Sequence, residues 1–309
     1  MSASGEPAAR NGAVTAFCGL ELEHPIVNGS GTFDAIAARR VFGAAIVERF
    51  PFAAFVSKTI TLEPREGNPP PRLYETPAGL INSIGLPNRG LAGYLEHDLP
   101  ELARLPVPLI TNVMGSTIAE VAALVEAVGA RAEIAAIELN VSCPNVKTGL
   151  DLGADPAELA ALVRDVRPRT SKPLIVKLTP NCADVARVAQ AAQEAGADAV
   201  SLINTLRAYA PDRRRGGAPW LGGGTGGLSG PAVRAVALAQ VAAVARRVTL
   251  PIVGMGGVSA GRHARDLMEA GATLVAVGTE SFRDPLAGAR IRAELTEDAA
   301  KRGLLGTAP

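Results

Sequence analysis

The sequence predicts a (β/α)₈ barrel, the TIM-barrel class of α/β fold, with an extended capping loop over its C-terminal rim. Three observations carry this. Short Val/Ile/Leu-rich runs alternate with longer Ala/Leu/Arg/Glu stretches of helical period, as in strands buried on both faces of a parallel sheet and covered by helices. The alternation fills 309 residues, the length of one such barrel. Each apolar run also ends on polar or glycine residues, which in a barrel share one rim. The tally comes close to the eight strand and helix units of a barrel, so the barrel is preferred to an open sheet.

Taken in order, strands are expected at residues 24–28, 55–59, 108–112, 136–140, 173–178, 199–203, 251–254 and 274–278. Helices are expected at 35–48, 89–102, 118–128, 156–166, 183–195, 231–246, 261–270 and 285–300. Residues 16–309 read as a single domain. Residues 1–15 lack an apolar run and read as a disordered tail without a signal segment. Two connections exceed ordinary loops. Residues 60–88 are rich in Pro and Gly and are expected to cap the site. Residues 206–230 carry the basic run Arg213–Arg215 and the string GGGTGG, and are expected to be partly mobile.

Charge excludes two classes of partner. Lys and Arg number 31 against 30 Asp and Glu, so no excess charge is available to track a nucleic-acid backbone or an anionic membrane. The apolar runs are broken by charge or glycine well before the ~20 residues of a membrane span. Three cysteines, Cys18, Cys143 and Cys182, form no CxxC pair and leave one over after any disulfide. Free thiols in the cytoplasm are the expectation, with Cys18 and Cys182 structural and no metal site.

The run ends supply the candidate chemistry: Ser30, Lys58 with Thr59, Asn112, Asn140, Lys177, Asn204 with Thr205, Gly256 with Gly257, and Gly278 with Thr279. The glycine turns GMGG and AVGT follow the last two strands, where barrels commonly hold a phosphate group; two ordinary strand-to-helix turns are the plainer reading. The GxGxxG within Gly222–Gly227 follows no strand and lacks the context of a dinucleotide site. Lys177 ends the strand PLIVKL and Lys58 repeats the arrangement. Two cations beside several amides describe a pocket for a planar, anionic, hydrogen-bonding ligand. Cys143 lies just past a strand end on the same rim, where a part-ionised thiol can accept a proton; a small buried hydrophobe is the commoner role of a lone cysteine.

The motifs KTITLEPREGNPPPRLYET, NSIGLPN, ELNVSCPNVKTG, VKLTPN, INT, TGGLSGPA, IVGMGGV and AVGT resemble, in order and spacing, those of the dihydroorotate dehydrogenases, and most closely class 1B. The resemblance runs from about Asn28 to Pro285. It implies an FMN-containing barrel that oxidises dihydroorotate to orotate in de novo pyrimidine synthesis. FMN would then touch Ser30, Lys58, Thr59, Asn112, Asn140, Lys177, Ile203, Gly230, Gly256, Gly257, Gly278 and Thr279. Substrate would meet Lys58, Asn82, Ser83, Ile84, Gly85, Leu86, Asn140, Asn204 and Thr205. Cys143 would be the base, and Lys177 would stabilise negative charge on the flavin.

Class 1B further implies a partner subunit carrying FAD and a [2Fe–2S] cluster, in a heterotetramer of two chains of each kind, with NAD⁺ as final acceptor. A class 1A type enzyme that reduces fumarate, a relative acting on another dihydropyrimidine, and a non-catalytic phosphate-binding barrel are the other readings. Pro87 stands where the resemblance expects glutamine, and the 206–230 segment is more basic and glycine-rich than usual for the family.

Overall fold

A computed structural model describes residues 14–141, 153–301 and 303. All eight expected strands are present: β1 (Ile26–Asn28), β2 (Phe55–Val56), β3 (Leu109–Val113), β4 (Ile134–Asn140), β5 (Leu174–Lys177), β6 (Ala199–Leu202), β7 (Ile252–Met255) and β8 (Leu274–Val277). They form one parallel sheet in the order β1-β8-β7-β6-β5-β4-β3-β2. Every residue of these strands is buried except Ala135, as expected for a sheet covered on both faces.

Closure between β1 and β2 depends on one side chain. The two strands are too short to build a backbone ladder, and the amide of Asn28 takes its place: Nδ2 donates to the Val56 carbonyl and Oδ1 accepts from the Val56 N–H, both at 2.8 Å. A backbone bond from Ala53 N–H to the Ile26 carbonyl at 2.9 Å completes the seam. Asn28 is fully buried.

The helices begin where short polar side chains can accept from exposed N–H groups. Asp34, Thr117, Asp155 and Asp184 each cap a helix in this way, and Pro156 follows Asp155 at the first helical position, where its missing N–H costs nothing. The expected 35–48 helix is two pieces, Ala35–Phe42 and Ala45–Glu48, because Gly43 adopts φ 67° and ends the first. The 89–102 helix contains a π turn at Tyr94–Asp98, which accommodates the buried Tyr94 hydroxyl against Thr111 Oγ1 at 2.8 Å.

Two features were not expected from the sequence. Thr15–Phe17 and Leu20–Leu22 pair as a hairpin whose turn residues, Cys18 and Gly19, have φ 48° and 80°, the pairing of signs a tight two-residue hairpin requires. Its Phe17 and Leu22 close the bottom of the barrel against Val27, Ala136, Ile175 and Leu274. The second is a four-stranded antiparallel sheet over the top, in the order Leu206–Ala208, Gly226–Ser229, Gly79–Asn82, Leu73–Thr76. The two long connections thus fold together, and both ends of 206–230 enter the cap as strands. A small core of Ile81, Ala210 and Leu221 lies beneath it.

Asn28→Ala leaves the N–H and C=O of buried Val56 unpaired and is expected to lower unfolding free energy by about 2–4 kcal/mol. Urea denaturation measures this, and a change below about 0.5 kcal/mol, the scale of a neutral surface substitution, would contradict the role given to the seam.

Candidate active site

Side chains alternate along a strand, so the barrel interior is built in levels. Ile110, Ala136, Ile175 and Ala199 belong to the apolar interior cluster. Two residues further along each strand, and therefore also inward, stand Asn112, Glu138, Lys177 and Ser201, all buried. The hydrogen bonds agree. Asn112 Nδ2 donates to Glu138 Oε1 at 2.5 Å and Ser201 Oγ donates to Glu138 Oε2 at 2.7 Å, linking β3 to β6 across two intervening strands. Such a path can only run through the interior.

Above this level opens a cavity of about 850 Å³, at the large end of the range of small-molecule sites. It gathers nearly all the residues predicted from the sequence. From the barrel rim come Ser30, Lys58, Thr59, Asn140, Lys177 and Ile203, followed by Asn204 and Thr205. Ser30 Oγ donates to the Ser57 carbonyl at 2.8 Å and lies 3.5 Å from Thr59 Oγ1, which accepts from Asn140 Nδ2 at 3.2 Å. The peptide bond between Leu202 and Ile203 is cis. Burial pushes the Lys58 ammonium below the usual lysine range, and the Asp34 carboxylate pulls it back in part.

The cap contributes Asn82, Ile84, Gly85 and Leu86. Its two central strands meet so closely that a Cβ on Gly79 would fall 2.0 Å from the Ser229 carbonyl oxygen. At one end of the cavity the walls are backbone: Gly230, Gly256, Gly257 and Gly278, with Thr279. Gly230, Gly256 and Gly257 have φ of 86°, 133° and 69°, and a Cβ at any of the three would meet a neighbour within 3.0 Å. That end is therefore shaped for close approach to main-chain groups.

Three predicted residues stand apart from the lining. Ser83 is fully buried behind it, its Oγ accepting from Asn68 Nδ2 at 3.0 Å. Asn112 sits in the polar level and is not part of the cavity wall. Cys143 lies outside the described residues, three positions after Asn140. Sequence reasoning in turn missed Glu138, the one charge in its apolar strand, and Ser201, the one polar residue in its own, which was the available signal. It also missed Ser229, whose Oγ accepts from Thr279 Oγ1 at 2.9 Å, and Asn88. Asn88 Oδ1 accepts from the N–H of Thr61 and of Gly90, while Nδ2 donates to Thr61 Oγ1 and to the Leu86 carbonyl, both at 2.9 Å. It thereby fixes the 84–87 turn, where Leu86 adopts φ 56° ahead of Pro87.

The family profile described as Dihydroorotate dehydrogenase matches residues 13–298, nearly the whole chain. The chain belongs to the dihydroorotate dehydrogenase family. Among its relatives in that family, "Dihydroorotate dehydrogenase B (NAD(+)), catalytic subunit" of Desulforudis audaxviator (strain MP104C) is 46% identical over 295 residues, covering 94% of this chain and 93% of the relative. The proteins of the same name from Geobacter sp. (strain M21) and Geobacter sulfurreducens (strain ATCC 51573 / DSM 12127 / PCA) are 44% and 43% identical, covering 91% and 93% of this chain and 91% and 92% of their own lengths. The resemblance to class 1B dihydroorotate dehydrogenases therefore holds over the full barrel.

Asn88→Asp removes the Nδ2 donor to the Leu86 carbonyl, which holds the 84–87 turn, and the one to Thr61 Oγ1. Amide exchange at Asn68, whose N–H donates to the Ile84 carbonyl at 3.0 Å, is expected to quicken, with a stability loss of about 1–2 kcal/mol. Exchange rates matching the parent protein would show that Asn88 does not hold the turn.

Proposed function

We propose that this protein oxidises dihydroorotate to orotate in pyrimidine synthesis, using FMN held in the rim cavity and passing electrons through a partner subunit to NAD⁺. The observation that carries the reading is the cavity itself: two lysines and several amides face one region while glycine backbone forms one end, in a chain that matches the family almost end to end.

The residues present fit FMN. Its phosphate suits the end walled by Gly230, Gly256, Gly257, Gly278 and Thr279, where main-chain groups can approach closely. Its ring suits Ser30, Lys58, Thr59, Asn140, Lys177 and Ile203, with Asn112 in the level below. A Cβ at Gly230, Gly256 or Gly257 would meet a neighbour within 3.0 Å, so only glycine backbone fits at the end that would hold the phosphate. When bound, FMN supplies the two-electron acceptor that forming a carbon–carbon double bond requires and that side chains lack.

The chain's own residues do the rest. Asn82, Asn140 and Asn204 offer amides, which pair with both N–H and C=O groups at the edge of a pyrimidine ring. Lys58 meets the substrate's negative charge; its partial burial strengthens that attraction relative to water. Ile84, Gly85, Leu86 and Thr205 form the wall, and Ser83 supports it from behind. Cys143 Sγ takes a proton from the ring carbon next to the one that is oxidised, and Lys177 supplies positive charge where negative charge develops.

The word "subunit" in the relatives' names supports a partner chain. An FAD and [2Fe–2S] subunit, in a heterotetramer with two copies of each chain, completes the route to NAD⁺. Three cysteines fall short of the four thiolates such a cluster usually takes, and no group of metal-holding side chains occurs among the described residues. No helix among the described residues is long and apolar enough to cross a membrane, and a cytoplasmic location is part of this proposal.

The acceptor is tested by reducing the FMN-loaded chain anaerobically with dihydroorotate, then adding fumarate or NAD⁺ separately. Reoxidation by NAD⁺ only once the partner subunit is present is expected; rapid reoxidation by fumarate with the isolated chain would refute the NAD⁺ route. In Cys143→Ser, FMN binding is expected to persist while reduction by dihydroorotate slows about a hundredfold or more at neutral pH, recovering as pH rises because a hydroxyl is the poorer base. Unchanged stopped-flow rates would remove Cys143 from the mechanism.

A further inference from the structure

The string GGGTGG at residues 222–227 has no part in the reaction above, yet the cap is packed against it. A Cβ on Gly226 would fall 2.5 Å from the Asn82 carbonyl oxygen, and one on Gly227 would fall 2.5 Å from Thr205 Cβ and closer still to its Oγ1. Gly227 is buried in a strand and its φ is not positive, so the position does not use the turn-forming freedom of glycine. Glycine inside a strand weakens it and often marks the close approach of another segment. Here that segment is Thr205.

Gly227 meets two residues of the cavity wall that come from different parts of the chain. Its carbonyl accepts from Asn82 Nδ2 at 3.2 Å, and the two strands pair in register at these same residues. Its missing side chain leaves the space that the Thr205 side chain takes. Asn82 and Thr205 both line the cavity. Thr205 is anchored to the loop after β5: its carbonyl accepts from Asn181 Nδ2 at 3.0 Å, and the Arg207 N–H donates to Asn181 Oδ1 at 2.9 Å. Rotating Thr205 could not admit a larger residue at 227, because the crowding reaches its Cβ, which no χ1 change moves. The cap strand would have to retreat, and the Asn82 amide would follow the Gly227 carbonyl.

We infer that Gly227 is a positioning residue for the substrate: having no side chain, it lets the cap settle against Thr205, and its carbonyl then holds the Asn82 amide at the spacing from Thr205 that the pyrimidine ring requires. This rests on the dihydroorotate reading above and deepens it. An amide and a hydroxyl recognise a ring edge only at hydrogen-bond distance, and a displacement of about 1 Å is enough to break such a bond. Gly227 touches no substrate; it sets the gap between two residues that do.

The test measures orotate binding to the FMN-loaded full chain through the change orotate makes in flavin absorbance, beside the affinity of the flavin-free chain for FMN and the melting temperature. Gly227→Ala is expected to weaken orotate binding about tenfold, the loss of one or two placed hydrogen bonds, while FMN affinity stays within about twofold of the parent. Gly222→Ala crowds the same string against Pro69 and Pro70, away from the cavity wall, and is expected to lower the melting temperature while orotate binds as in the parent. Equal weakening of orotate binding by both variants overturns the proposal, and so does a Gly227→Ala protein with the parent's orotate affinity. Thr205→Gly removes the crowded atoms, so adding Gly227→Ala to it is expected to change orotate affinity by less than about twofold. A further tenfold loss in that double variant would place the effect of Gly227 elsewhere and overturn the proposal. Should Gly227→Ala alone fail to fold, a double variant that folds and binds orotate like Thr205→Gly supports the proposal, and one that also fails to fold overturns it. A parent protein that holds FMN but binds no orotate sinks the substrate reading itself, whereas a parent that binds orotate beside an unchanged Gly227→Ala sinks only the role of Gly227.

Discussion

The site exists because the barrel closes, and the seam between β1 and β2 closes through the Asn28 side chain. Each strand of the pair is too short to satisfy the other, so a side-chain amide that both donates to and accepts from Val56 substitutes for a stretch of ladder. Ser30 follows β1 and Lys58 with Thr59 follows β2, so the same amide brings these rim residues side by side. Ser30 and Thr59 then sit 3.5 Å apart, and Thr59 holds Asn140 on the far side. Closure and site geometry share their parts.

Inside the barrel, burial changes character with height. The bottom is apolar and sealed by the Phe17 and Leu22 hairpin, which gives the interior a dry base. One level up, Asn112, Glu138, Lys177 and Ser201 replace aliphatic side chains, at an energetic cost that hydrogen bonds across the barrel largely offset. Above them the cap covers the opening, and its two halves come from segments more than 120 residues apart in the chain. A rigid floor under a covering sheet gives both fixed donors and a shielded cavity, which is what a reaction driven by placed charges requires.

The barrel was legible because strands buried on both faces announce themselves as short apolar runs, and all eight were found within a few residues of their observed ends. The rim residues were legible for the same reason: a strand's end locates them. The bottom hairpin was not, since strands of three residues carry no period. Nor was the cap sheet, because Gly79–Asn82 pairs with Gly226–Ser229 across a long sequence separation that local pattern does not encode. Glu138 was read as part of a motif, though a single charge within IAAIELN was the cue to its interior partners. Gly43 broke a helix whose apolar spacing continued through it. Cys143 was reached from sequence alone and lies outside the described residues.

The central claim is that this cavity holds one flavin per chain and passes two electrons to it from dihydroorotate. An anaerobic titration of the FMN-loaded protein, following flavin absorbance and orotate together, measures it most directly. Complete bleaching at one equivalent of dihydroorotate per chain, with one equivalent of orotate formed, is expected. A protein that stays colourless after incubation with FMN, or that binds FMN yet yields no orotate, would contradict it.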